Sequence, residues 1–562
     1  MNPEDQGCNR VLVIGLDGAT FDVLRPLITA GTLPKLGRMM REGTWGELRS
    51  TIPPHSAPAW SSFATGANPG RHGVYHFRSI DRHFYEGKNF SRVVNAHSIA
   101  LPTMWARASR AGKRVGVINV PLTYPPEPVN GFLVSGMLTP HTAAIFTFPP
   151  ELSASLHDYV IDAGAGADDG LLEQKNLQSS EGVGWLAHVL EHQLEVRTST
   201  AVRLFDQYQP DLAVVVFTET DRLNHFFWPC LDERLNPPPH LRPYTEWAKQ
   251  FYAHLDESIG RLVTAMGEET ICIIMSDHGF GPYPTRQFYV NAWLRDQGLL
   301  KVRSTSARSI PSRCLSWLGL SQATLHRLLS NILPRHQVRR MRAAWGQWMR
   351  QPIDWEHTQA YFMPLFDFVG GIVINLPTTS SMYEEVRSAL IRNLREVIDP
   401  DVGSHIVMEV YRREEIYEGP FVNRAPDLIF VLKPSHVGDR SLLTKSYFGA
   451  MAAAGRQWTG THRFEGILLM KGPPVQPGGK VAFAQIQDLA PTILYLLGLP
   501  VPEVMDGRVL EEALSSEYLA SHPIYYSQGE DMPSVDRGRT EWEQPADEAQ
   551  VTERLWALGY LE

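Results

Sequence analysis

Cysteine is scarce in this chain and never paired along it. The four residues, Cys8, Cys230, Cys272 and Cys314, form no C-x-x-C unit, so neither a disulfide framework nor a cysteine-ligated zinc site is indicated. Cys272, inside "TICIIMSD", reads as a small buried apolar residue. Long apolar runs are missing too. None reaches the ~20 residues needed to cross a bilayer. The opening "MNPEDQGCNR" has no hydrophobic stretch of the signal-peptide kind. The expectation is a cytoplasmic protein with no membrane span. Positive charge is in the minority, with 52 Lys and Arg against 61 Asp and Glu and a net charge of −9. That argues against nucleic-acid binding by bulk electrostatics. Internal repeats and low-complexity tracts are also absent.

What is present is an ordinary globular composition, 562 residues with 43% hydrophobic, enough for a large core. Short β-branched runs recur at 11–18, 114–121, 211–221, 269–279, 427–432 and 466–472. They are apolar on both faces, as strands of a parallel sheet must be when helices cover both sides. Helical patterns lie between them, as at 179–207 and 243–266. The alternation predicts an α/β fold with a central, mostly parallel sheet and helices on both faces.

Two segments stand apart. Residues 301–350 hold ten Lys or Arg and no Asp or Glu, with apolar residues at helical spacing. They read as a basic helical cap inserted in the main domain. A solvated face, a cap over an anionic substrate and a docking surface all fit that pattern. The tail at 530–562 is acidic and ends in "DEAQVTERLWALGYLE", which suits a short amphipathic helix.

Ligands of doubly wound sheets bind outside the carboxyl ends of the strands. Here "VLVIGLDG" ends in Asp17, "LAVVVFTETD" in Asp221 with His225 four residues on, and "TICIIMSDHG" in Asp277 and His278. Singly, each reads more readily as a turn, a cap or a surface pair than as a functional group. Together, carboxylates at one sheet edge repel unless cations are bound there. Oxygen and imidazole donors suit zinc or a similar divalent ion. A dinucleotide site ranks low, because "GLDG" is not G-x-G-x-x-G and its carboxylate would oppose a pyrophosphate.

The stretch "TIPPHSAPAWSSFATGANPGRHG" at 51–73 adds three serines, Ser56, Ser61 and Ser62, and two histidines, His55 and His72. Pro58 suits the first turn of a helix. Ser56 then lies just before the helix, where the dipole and free N–H groups favour a negatively charged oxygen. Ser61 and Ser62 fall inside it, in packing or back-bonding roles. His72 reads as structural.

The ordered set Asp17, Ser/Thr segment, Asp221-x-x-x-His225, Asp277-His278 and His462 in "GTHRFEGILL" resembles the alkaline phosphatase superfamily. The branch it resembles is type I phosphodiesterase/nucleotide pyrophosphatase, with its bacterial phosphohydrolase and phosphomutase-like relatives. "DLAPTILYLLGLPVPEVMDGR" at 488–508 is similar to the end of that catalytic domain, so the likeness runs from about residue 10 to about 510. The resemblance implies an alkaline-phosphatase-like catalytic domain with two divalent metal ions, zinc first and manganese second. One ion would take Asp221, His225 and His462; the other Asp17, Asp277, His278 and the oxygen of Ser56. Ser56 is assigned as nucleophile because it stands ten residues before the glycine of Thr65-Gly66 and two before Pro58. The implied reaction is an in-line displacement at phosphorus through a phosphoserine, with two ions roughly 4 Å apart clamping it.

The pattern departs at Phe77, which stands 21 residues after Ser56 where the nucleotide-cleaving branch carries a phosphate-binding asparagine. His55, Phe77, Arg339 and Arg340 are therefore the candidate substrate contacts. Trp60 replaces the arginine of sulfatases, and the lack of spanning segments disfavours membrane phosphoethanolamine transferases. The expected function is hydrolysis of phosphodiester or pyrophosphate bonds in a small phosphate ester, with a nucleotide derivative as one option. A phosphomonoesterase or phosphomutase is the nearest alternative. A non-catalytic or nucleic-acid-binding protein using the basic cap ranks last, since all seven candidate positions carry competent ligands.

Overall fold

In a computed structural model of the full chain, residues 10–80, 92–156, 158–162, 177–303, 353–451, 458–528, 542 and 544–561 are described. The chain forms two compact units. The first takes residues 1–283, 413–425 and 457–562, and the second 284–412 and 426–456.

The first unit is built on a nine-stranded sheet. In chain order its strands are β1 (Val11–Leu16), β2 (Thr44–Arg49), β3 (Val115–Ile118), β4 (Gly131–Val134), β5 (Thr147–Phe148), β6 (Leu212–Phe217), β7 (Ile271–Met275), β8 (Glu465–Lys471) and β9 (Lys480–Gln485). Across the sheet they run β9-β2-β8-β7-β1-β6-β3-β4-β5. The five central strands from β7 to β4 are mutually parallel, whereas β8 and β5 pair antiparallel. Every residue of β1, β6 and β7 is buried. That explains their unbroken apolar sequences, because helices cover both faces. Three of these helices are α1 (Ser56–Thr65), α2 (Ser180–Tyr208) and α3 (Glu219–Leu231), followed by α4 (Thr245–Met266) and α5 (Pro545–Leu558). The core under α1 gathers Val13, Trp60, Phe63, Val214 and Ile273. Gly15 is required at the middle of β1, since a Cβ there would stand 2.5 Å from the Trp60 ring.

The second unit carries a four-stranded antiparallel sheet (Ala360–Phe366, Val369–Ile374, Leu428–Leu432, Val407–Arg412) and a three-stranded one. Two expectations change here. The run at 427–432 forms a strand of this antiparallel sheet, not of the central parallel one. The run at 466–472 joins the central sheet but antiparallel. A fully buried strand reads the same in either setting, so apolarity alone does not reveal direction. The basic segment 301–350, with Arg339 and Arg340, lies outside the described residues but for its first three. Among the described residues no helix is long and apolar enough to cross a membrane.

Candidate active site

Strands β6, β1 and β7 are neighbours, so their carboxyl ends bring three separate acidic motifs to one edge. Asp17 follows β1 directly, Asp277 stands two residues past β7, and Asp221 lies in the first turn of α3 after β6. His225 follows one turn later on α3. His462 comes from the strand Gly460–Arg463, paired antiparallel with Gly279–Pro282, where it stands opposite Phe280.

Pro229 explains how His462 arrives. A proline inside a helix cannot donate to the carbonyl four residues earlier. Here that carbonyl belongs to His225, and α3 kinks at Phe227 (φ −120). The freed oxygen accepts instead from the N–H of Thr459 at 2.7 Å and its hydroxyl at 3.0 Å. The next residue, Gly460, accepts from His225 Nδ1 at 3.0 Å. The segment leading to His462 is thus pinned to the helix that carries His225.

Two triads result, Asp221–His225–His462 and Asp17–Asp277–His278, each with its ligand atoms within 4.8 Å of one another. All six residues are buried. Each carboxylate has one oxygen tied to the protein. Asp17 Oδ2 accepts from Trp60 Nε1 (3.1 Å), Asp277 Oδ1 from the Gly18 N–H (3.2 Å), and Asp221 Oδ2 from Arg222 Nη1 (2.6 Å). The other oxygens, Asp17 Oδ1, Asp277 Oδ2 and Asp221 Oδ1, are buried without a hydrogen bond. The histidines show the same division. Nδ1 of His225, His278 and His462 each faces a backbone carbonyl, of Gly460, Gly279 and Pro54 respectively. Donation there leaves every Nε2 as a lone pair turned to the cluster. Nε2 of His225 and of His462 lie 3.0 Å apart. Two lone pairs that close, beside orphaned carboxylate oxygens, are stable only around a cation. The donor set fits two divalent ions.

Electrostatics agree. Burial, with Asp277 and Asp221 next, pushes the Asp17 carboxyl well above its ordinary range. Burial, then Asp221, pushes Asp277 up to about 8. Burial also acts to raise Asp221, but His225, His462 and Arg222 outweigh it and hold that carboxyl well below. Burial depresses the His278 and His462 imidazoles.

Ser56 is the first residue of α1, not the one before it, and His55 is the cap. Its buried Oγ lies 3.4 Å from His278 Nε2. Helix geometry leaves the first N–H groups of α1 without internal acceptors, beside that hydroxyl. Ser61 Oγ donates back to Ala57 O, and Ser62 Oγ pairs with His72 Nε2. His72 also accepts from the Val74 N–H, and burial pushes its imidazole down to about 3. His55 stacks on His76 (4.9 Å) and meets the edge of Phe77 (4.5 Å). Phe77 is fully buried and offers no polar atom, so it forms wall where the resemblance expects a phosphate contact. Trp458, Arg222 and Tyr560 were not singled out in the sequence, and Trp60 was read only as standing where sulfatases carry an arginine. Trp458 stacks on the His225 ring at 3.7 Å. Only Arg222, adjacent to Asp221, carried any local signal.

The sequence matches the family described as type I phosphodiesterase/nucleotide pyrophosphatase over residues 11–447. The chain belongs to this family. It is accordingly a phosphoester hydrolase of the alkaline phosphatase superfamily, and the family's metal dependence is in keeping with the two triads. No curated protein matches the sequence significantly. Among solved structures, phosphonoacetate hydrolase from Sinorhizobium meliloti 1021 in complex with phosphonoformate has the same fold. It aligns with TM-score 0.53 and 16% identity over 87% of this chain and 96% of that one. An inactive form of murine ectonucleotide pyrophosphatase/phosphodiesterase 5 in complex with AMP aligns with TM-score 0.48 and 14% identity, over 90% of this chain and 100% of that one.

Proposed function

We propose that the chain hydrolyses phosphodiester or pyrophosphate bonds of a small phosphate ester, with Ser56 as nucleophile. The observation that carries this reading is the pair of buried triads with their orphaned oxygens beside a serine at a helix N-terminus. Asp221, His225 and His462 hold one divalent ion; Asp17, Asp277, His278 and Ser56 Oγ hold the other. Zinc suits three carboxylates and three imidazoles, with manganese the alternative. The bound ions supply Lewis acidity, neutralising phosphoryl charge and lowering the pKa of the serine hydroxyl.

The chain's own groups do the rest. Ser56, its proton given up to solvent, forms the new O–P bond as the bond to the leaving oxygen breaks and that oxygen departs to take up a proton from solvent, which gives a phosphoserine. The N-terminus of α1 faces the phosphoryl oxygens with its free N–H groups. Gly279 O, Pro54 O and Gly460 O keep the imidazole lone pairs aimed inward throughout. Water then cleaves the phosphoserine and restores the hydroxyl. Phe77, His55 and the ring of Tyr560 form an apolar wall that limits water on that side.

The test compares bis-p-nitrophenyl phosphate with p-nitrophenyl phosphate, with and without chelator, for wild type and Ser56→Ala. A diester preference that chelation and Ser56→Ala both abolish is the expected result. A monoester preference would favour the phosphomonoesterase alternative, and full activity in chelator would remove the metal reading.

A further inference from the structure

The helix α5 ends in a turn that delivers a side chain to the metal triad. Gly559 sits at φ 89. Its N–H reaches Trp556 O (3.1 Å), and the Tyr560 N–H reaches Leu555 O (2.9 Å). These are the two bonds of a Schellman turn, which needs a left-handed residue at this place. A Cβ on Gly559 would stand 2.9 Å from the Trp458 ring, the ring that stacks on His225.

The turn sends Tyr560 inward, where it is 5% exposed. Its hydroxyl donates to Asp221 Oδ2 at 2.5 Å and accepts from Arg222 Nη1 at 2.6 Å. Arg222 also bonds Asp221 Oδ2 (2.6 Å) and both oxygens of Asp162 (3.1 and 3.3 Å). The Tyr560 ring stands edge-on to His225 and Phe77, 5.8 and 5.0 Å away. Two donors therefore occupy Asp221 Oδ2. Oδ1 is left facing His225 Nε2 (3.4 Å) and His462 Nε2 (3.2 Å). The carboxylate torsion is soft by itself, so these donors decide which oxygen the triad receives.

We propose that Tyr560 is a positioning residue for the Asp221–His225–His462 site. Its hydroxyl locks the Asp221 carboxylate in the orientation that presents Oδ1, and the Gly559 turn is the device that places it. This rests on the metal reading above.

The experiment titrates the full-length protein with zinc alone against a competing chromogenic chelator. Asp221→Ala and Asp17→Ala identify which binding step belongs to which triad. Tyr560→Phe keeps the ring and removes only the hydroxyl. It should weaken the step that Asp221→Ala abolishes by about tenfold or more, and leave the other step unchanged. With cobalt in place of zinc, the visible absorption of that site should shift. kcat should fall with KM nearly constant, and the thermal midpoint in chelator should stay where it was. Gly559→Val, which displaces the whole turn, should reproduce the selective loss; if it does not fold, Tyr560→Phe decides alone. An unchanged Asp221 step in Tyr560→Phe overturns the positioning role while leaving the metal reading intact. Equal loss at both steps with a lower midpoint in chelator also overturns it, since a merely structural residue behaves that way. Wild type that binds no zinc brings down the metal reading first, and this proposal with it.

Discussion

Ser56 Oγ lies 3.4 Å from His278 Nε2, at the first residue of the helix that carries it. One hydroxyl thus shares both the Asp17–Asp277–His278 triad and a helix N-terminus. Ser61 and Ser62 are turned to a carbonyl and to His72 instead. Ser56→Ala should therefore lower kcat on an aryl diester by at least about a thousandfold, the scale seen when a nucleophile is removed. Ser61→Ala should change it less than about threefold. Acid-quenched incubation with labelled substrate should trap phosphate on wild type and none on Ser56→Ala.

Stability of the metal-free protein should depend on pH in an unusual direction. Asp277 is pushed up to about 8, first by burial and then by Asp221, against roughly 3.9 in an unfolded chain. The folded state then binds more protons than the unfolded one between those values. Its contribution is present at low pH and is lost as pH rises through about 8. The buried, depressed imidazoles of His55, His278 and His462 act the opposite way, but only below roughly 6.5. From about pH 6.5 to 8 the thermal midpoint in chelator should fall as pH rises. Zinc, which competes with those protons, should raise the midpoint more at pH 8 than at pH 6.5. Differential scanning fluorimetry across that window checks both slopes.

Arg197 and Glu219 form an ion pair in which neither side chain is exposed. Arg197 also donates to Ile161 O at 3.0 Å. Removing one partner strands a buried charge, at a cost of about 3–5 kcal/mol. Arg197→Met should show that loss in urea unfolding, and Arg197→Met with Glu219→Met should recover part of it. Glu219 opens α3, so the single variant should also weaken zinc binding.

Phe77 is packed between His55 at 4.5 Å and Tyr560 at 5.0 Å. Phe77→Asn installs the amide expected of nucleotide-cleaving relatives in a place shaped for a ring. It should destabilise the fold by about 3 kcal/mol or more, as loss of a buried aromatic does. It should not raise the rate on a nucleotide p-nitrophenyl diester relative to the monoester. Thermal unfolding and the ratio of the two kcat/KM values measure this.

The positions of Asp17, Asp221 and Asp277 were legible because each follows a run whose burial leaves no other place for a carboxylate than the strand's exit. Ser56 was legible through Pro58 and the helix it starts, though one residue out of register. His462 was not evident from its own surroundings; only the family pattern pointed to it. The direction of the strand at 428–432 was hidden, since a buried strand carries no mark of its partner. The roles of Pro229 and Tyr560 were hidden for a different reason. Pro229 withholds an N–H from His225 one turn away, but the group that takes its place comes from Thr459, and Tyr560 donates to Asp221 from 339 residues on.

The groups around His225 are also separated in time of synthesis. A ribosome that has finished Asp17, Ser56, Asp221 and Asp277 has still to make Thr459, Gly460, His462 and Tyr560. At roughly 5–20 residues per second, that is an interval of many seconds. During it the Asp17–Asp277–His278 half has all its donors, while the other half has a carboxylate, one imidazole and no clamp. On the metal reading proposed above, the second site would gain its third ligand only once translation has passed residue 462, and the Tyr560 hydroxyl that orients Asp221 later still.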